Sequence, residues 1–97
     1  MKVIGHFING REVSSSSKKT ANVFNPATGE IQRKVSLGLA SELNEAVKKA
    51  KESQPAWGAT NPQKRARVIM KFIDLLHRDM DELATVLSSE HGKTIPD

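Results

Sequence analysis

The chain has no cysteine and no tyrosine. Without a thiol there is no disulfide framework, no Cys-ligated zinc and no thiol nucleophile within these residues. The absence also fits a cytoplasmic protein. Aromatic residues are few, namely Phe7, Phe24, Trp57 and Phe72, which is thin material for an independent core. No apolar run approaches the roughly 20 residues that a membrane helix needs, so no membrane partner is expected. The start does not read as a secretory leader, because polar residues interrupt the first apolar run by Asn9. Glycines are isolated, so neither G-x-G-x-x-G nor G-x-x-x-x-G-K is present to cradle a phosphate. Serines are plentiful, but none lies in G-x-S-x-G.

A chain of 97 residues is one domain or part of one. Its net charge is +4, which raises the question of a nucleic-acid partner. The excess lies in residues 1–40, which hold six basic and two acidic side chains, whereas residues 41–97 hold nine of each. Scattered over turns and strand-like segments, it makes no dense patch. One helical stripe is basic (Lys64, Arg67, Lys71, Arg78), but Asp74 interrupts it, and it reads as a solvated helix face. No nucleic-acid partner is therefore expected.

Residues 6–13 read as a hairpin around Asn9-Gly10, a pair that tolerates the two positive φ angles of a type I′ turn. Residues 14–20 read as a polar loop. A second strand pair spans 22–36. Its turn, Asn25-Pro26-Ala27-Thr28-Gly29, combines an Asn able to bond the following backbone, a Pro with preset φ and a Gly to leave the turn. In the second strand Ile31, Arg33 and Val35 face one way and Gln32, Lys34 and Ser36 the other, the polar set suggesting a solvated face.

Three amphipathic helices are predicted after the strands, over about 42–54, 62–78 and 80–91. Ser41 is the expected N-cap of the first, with Pro55 and Gly58 ending it and Trp57 packing just beyond. Asn61 followed by Pro62 starts the second, whose apolar stripe is Ala66, Ile69, Phe72, Ile73 and Leu76. Asp79 to Glu82 fits a capping box for the third, and Gly92 after His91 fits its C-terminal cap. The layout is an α+β piece with one apolar face per element and too few apolar strand residues for a sandwich. Those faces are expected to be buried elsewhere.

The obvious chemistry-bearing residues have structural readings. His6, His77 and His91 lack metal-ligand spacing. His91 suits the end of a helix dipole, and Asp79, Asp81 and Glu82 suit the start of one. No metal site, catalytic residue or cofactor-binding residue is expected in this chain.

Four blocks then occur in order: Phe7-Ile8-Asn9-Gly10 with Val13; Val23-Phe24-Asn25-Pro26-Ala27-Thr28-Gly29-Glu30; Ala46-Val47 through Ala50 to Pro55-Ala56-Trp57; and Arg65-Ala66-Arg67, Leu75-Leu76, then Glu90-His91-Gly92-Lys93. Together they resemble the amino-terminal segment of the aldehyde dehydrogenase superfamily. Asn25 to Glu30 is the most specific element. Glu90-His91-Gly92-Lys93, with His6 to Gly10, resembles the methylmalonate-semialdehyde branch, although Thr94-Ile95 departs from the commoner superfamily pattern of a Pro after the Lys. The resemblance implies an α+β fragment of an α/β enzyme, with residues 1–97 as peripheral strands and the helices leading into a cofactor domain. It implies a parent oxidoreductase that uses NAD and passes the acyl group of malonate or methylmalonate semialdehyde to CoA. A Cys thiolate would be the nucleophile, a role that suits a strong nucleophile and good acyl leaving group. That residue, the oxyanion donor and the cofactor fingerprint are expected outside residues 1–97, and the chain alone is expected to be inactive. The expected partners are the rest of the same subunit and a homo-oligomer, a tetramer by resemblance. The alternatives are a helical piece that self-associates and a basic nucleic-acid-binding module.

Overall fold

The computed structural model describes residues 2–96. Met1 and Asp97, the ends of the span read above as one segment, lie outside the described residues. Five short strands precede three helices: β1 (Val3–Ile4), β2 (His6–Ile8), β3 (Arg11–Val13), β4 (Thr20–Phe24), β5 (Ile31–Ser36), α1 (Ala40–Ala59), α2 (Pro62–Arg78) and α3 (Met80–His91). This is the predicted order of strands followed by helices.

The hairpin pairs as its turn dictates. Asn9 and Gly10 have φ of 55° and 77°, and His6, Phe7 and Ile8 face Val13, Glu12 and Arg11. The second pair is also antiparallel, and within its turn the Asn25 side chain accepts a 3.0 Å bond from the Ala27 amide. Two features differ from the sequence reading. β1 adds a third, parallel strand, giving the sheet order β1-β5-β4; a two-residue strand carries no periodicity to read. A bulge between Val23 and Phe24 shifts the register, so that Phe24 pairs with Ile31 and Val23 with Arg33. Gln32 is thereby released from the ladder, as bulges do when they re-aim a side chain. The polar set of β5 is consequently not one solvated face, since Gln32 and Ser36 are half-buried while Ile31 is exposed.

Helix α1 is longer than expected at both ends. It begins at Ala40, with Leu39 rather than Ser41 in the N-cap position. Glu42, the third helical residue, reaches back to the Leu39 amide at 2.8 Å, which satisfies that donor without a Ser cap. Pro55 lies inside the helix, and Trp57 and Gly58 belong to it. Proline sacrifices one backbone bond there, yet the helix continues to the Asn61-Pro62 step. A residue preceding proline is pushed out of the helical region, and Thr60 and Asn61 have ψ of 136° and 133°. The Thr60 hydroxyl also caps the Ala56 carbonyl at 2.8 Å.

Helix α2 starts as predicted, with the Asn61 side chain accepting from the Gln63 amide at 2.8 Å and Pro62 in the first turn. Asp79 does separate α2 from α3, but it caps nothing with its side chain. Both of its carboxylate oxygens are taken by the Arg78 guanidinium, at 3.1 and 3.0 Å. That bond holds the Asp79 carboxyl below its ordinary range and raises Arg78. Gly92 ends α3 with φ 88°, as a left-handed C-cap requires.

None of the described residues is buried. The chain exposes 8032 Å², whereas a compact protein of this mass exposes about 5,500 Å². Its radius of gyration is 17.1 Å, against about 12.5 Å for a compact chain of this length. Phe7, Leu43 and Met70 are 73, 64 and 62% exposed. The apolar faces written into the sequence are present and uncovered.

The isolated chain should therefore melt without a cooperative transition. A folded domain of this length would show an unfolding enthalpy of about 70 kcal/mol. Calorimetry should record far less, with circular dichroism at the helical band declining gradually; a sharp, high-temperature transition in a monomer would refute this.

Candidate functional site

Polar contacts converge on Glu42. One of its oxygens accepts from the Ser15 hydroxyl at 2.7 Å and the Leu39 amide at 2.8 Å, and lies 3.2 Å from His6 Nε2. The other accepts from the Ser16 amide at 2.9 Å. A single carboxylate thus joins β2, the polar loop after β3 and the first turn of α1. The Leu39 amide, then the Ser15 hydroxyl and the Ser16 amide, hold the Glu42 carboxyl down at about 2. Such a group is a weak base. Nor do Ser15, His6 and Glu42 form a nucleophilic triad, in which the imidazole must lie between hydroxyl and carboxylate. Here the carboxylate takes both partners, so Ser15 has no base and the cluster is a clasp. Sequence reading missed it. Glu42 at the third helical position was the available signal, but its partners lie 26 to 36 residues away.

A second junction joins β4 and β5 to α3. Gln32, freed by the bulge, donates to the Ser89 carbonyl at 2.8 Å. Gly92 faces Pro26, and a Cβ on Gly92 would lie 2.9 Å from the Pro26 ring. Ser88 donates to the Lys93 carbonyl, tightening the same helix end. Two of the sequence blocks, the Asn25–Glu30 turn and Glu90–Lys93, therefore meet in space.

Two depressions remain. Phe7, Ile8, Asn9, Ala46, Lys49, Ala50 and Ser53 line a cavity of about 200 Å³ between the hairpin and α1. Val68, Phe72 and Leu75 floor an open groove of about 440 Å³ on α2, flanked by Arg67 and Lys71. The basic stripe is thus divided: Arg67 and Lys71 border an apolar groove, and Arg78 is paired with Asp79. His77 and His91 lie in the last turns of α2 and α3, where a cation suits the dipole. No three metal-ligating side chains come together among the described residues, and no described helix is long and apolar enough to cross a membrane.

The segment's order of elements, its two joined motif blocks and its unburied helix faces define a part of a larger α/β enzyme. Residues 13–97 match the aldehyde dehydrogenase family, and the chain belongs to it. A crystal structure from Sinorhizobium meliloti 1021, complexed with NAD and assigned as a methylmalonate-semialdehyde dehydrogenase, superposes with a TM-score of 0.95 at 56% identity. It covers 100% of this chain and 20% of that one. The malonate-semialdehyde dehydrogenase of Pseudomonas aeruginosa PAO1 is 40% identical over 97 residues, 100% of this chain and 19% of its own length. The acylating, mitochondrial methylmalonate-semialdehyde dehydrogenase of Arabidopsis thaliana is 39% identical over 94 residues, 97% of this chain and 16% of its own. The chain thus spans about a fifth of the length of the relatives it matches.

Two outcomes follow from the junctions. The depressed Glu42 carboxyl contributes fully above its ordinary value of 4.5, and that contribution is lost as pH falls toward about 2. Amide exchange at Ser16 and Leu39 in the folded protein should lose protection across that window, and Glu42→Gln should flatten the dependence; unchanged exchange would dismiss the clasp. Gly92→Ala places a side chain in the left-handed region at a cost of about 1–2 kcal/mol, with the Pro26 contact added. Exchange at the end of α3 should rise correspondingly, and Gly92→Asn should be milder.

Proposed function

We propose that this chain is the amino-terminal segment, without catalytic or cofactor-binding residues of its own, of an NAD-dependent, CoA-acylating aldehyde dehydrogenase acting on malonate or methylmalonate semialdehyde. The observation that carries the reading is similarity over essentially the whole chain to enzymes of that branch, one of them solved with NAD and one named as acylating. In the proposed enzyme NAD accepts the hydride and CoA the acyl group. The nucleophile comes from outside residues 1–97, since these contain no cysteine and the nearest arrangement to a nucleophilic site, around Ser15, lacks an activating base. The segment's part is architectural. The Glu42 clasp sets the hairpin against α1, and the Pro26–Gly92 and Gln32–Ser89 contacts set the sheet against α3. The reading carries with it a cytoplasmic homo-oligomer, a tetramer by family resemblance.

The test is NADH formation from malonate semialdehyde by the protein that carries this segment, with and without CoA. CoA-dependent turnover is expected, and residues 1–97 alone should produce none. CoA-independent release of a free acid would sink the acylating assignment. NADH formed by residues 1–97 alone would sink the architectural one.

A further inference from the structure

Helix α2 has more apolar circumference than one neighbour can cover. At about 100° per residue, Leu75, Val68 and Phe72 mark one side and Ile69, Ile73 and Met70 the other, within an apolar arc of about 220°. With α3 in place, Val68, Ile69, Met70 and Phe72 are still between 51 and 62% exposed. The Cα atoms span 47 × 38 × 16 Å, so the chain is little thicker than one helix with its side chains, about 10–12 Å. It is a single layer, whereas stable domains use two or three.

The surface in excess of a compact fold is about 2,500 Å², roughly three times what one partner contributes to an interface of standard size. A second copy related by a twofold axis would use one patch and leave the other broad face open. A body that encloses both faces is needed. Such a body is the remainder of the chain in the Sinorhizobium meliloti structure, of which the equivalent of this segment is 20%.

We propose that the two-sided face of α2, together with the apolar stripes of α1 and α3, is a docking surface for the other four-fifths of an aldehyde dehydrogenase subunit, and that residues 1–97 bind such a polypeptide in trans. The proposal rests on the reading of the chain as a segment of this enzyme. It does not depend on which semialdehyde the enzyme oxidises.

The test uses the Sinorhizobium meliloti protein lacking its matching segment, co-expressed with residues 1–97. A one-to-one complex with a cooperative melt absent from residues 1–97 alone is expected. Phe72→Asp, which would bury an unpaired charge, should weaken association by about 30-fold or more, and Asp74→Asn, on the polar side of α2, should not. To guard against a truncated relative that fails to fold, residues 1–97 can replace its own segment in an intact chimera with a protease site after position 97. After cleavage of the folded chimera, the piece should remain bound through gel filtration. Release on cleavage, a complex indifferent to Phe72→Asp, or residues 1–97 forming a homodimer that added partner does not disturb would each overturn the proposal. A complex that assembles but gives no NADH from malonate semialdehyde supports the docking surface and refutes the substrate assignment instead. Turnover by the intact relative without association of the pieces refutes the docking surface alone.

Discussion

The absence of any buried side chain among the described residues governs this structure. Folding is driven mainly by the removal of apolar surface from water, and here the strands and helices are held together by polar contacts instead. Glu42 ties the hairpin and its following loop to α1, and Gln32 ties the bulged sheet to α3. Contacts of this kind are accessible to solvent and compete with water for the same groups, so each contributes little on its own. They specify where elements sit once something else supplies the driving force. The apolar stripes of α1, α2 and α3 indicate where that force acts.

The same constraint explains why a family member can lack the family's chemistry. Acyl transfer through a thioester needs a thiolate, and this chain has none. Its polar groups are instead spent on geometry. Glu42 is strongly ionised because backbone and hydroxyl donors surround it, and this makes it a firm anchor and a poor proton acceptor. Asp79 is likewise committed to Arg78. A carboxylate saturated with donors stabilises a junction, whereas a catalytic base must hold its proton near the working pH.

Local determinants were legible in the sequence. The Asn9-Gly10 turn, the Asn25 turn, the Asn61-Pro62 start and the Gly92 stop each depend on one or two residues whose backbone preferences are strong, and each stands where expected. Features decided by competition or by distance were not. Pro55 was outvoted because the helix had a stronger stop five residues later. The Asp79 side chain was drawn away by its own neighbour, Arg78. Strand β1 exists only because β5 offers it an edge, and the Glu42 clasp needs the hairpin loop to return to the helix start. In each case the deciding partner was a competing local preference or lay far along the chain.

The residues that identify the family here owe their positions to packing. Pro26 presets the turn between β4 and β5 and then lies against Gly92, where no Cβ would fit without displacement. Gly92 is required a second time by its φ of 88°. The bulge that follows the turn aims Gln32 at the last turn of α3, so the two blocks are held by a ring contact and a hydrogen bond together. A substitution at one block disturbs the other through this junction without touching a catalytic group. The motifs that make the segment recognisable therefore report the position of α3 relative to the sheet, and through it the orientation of the helix faces that the structure leaves uncovered.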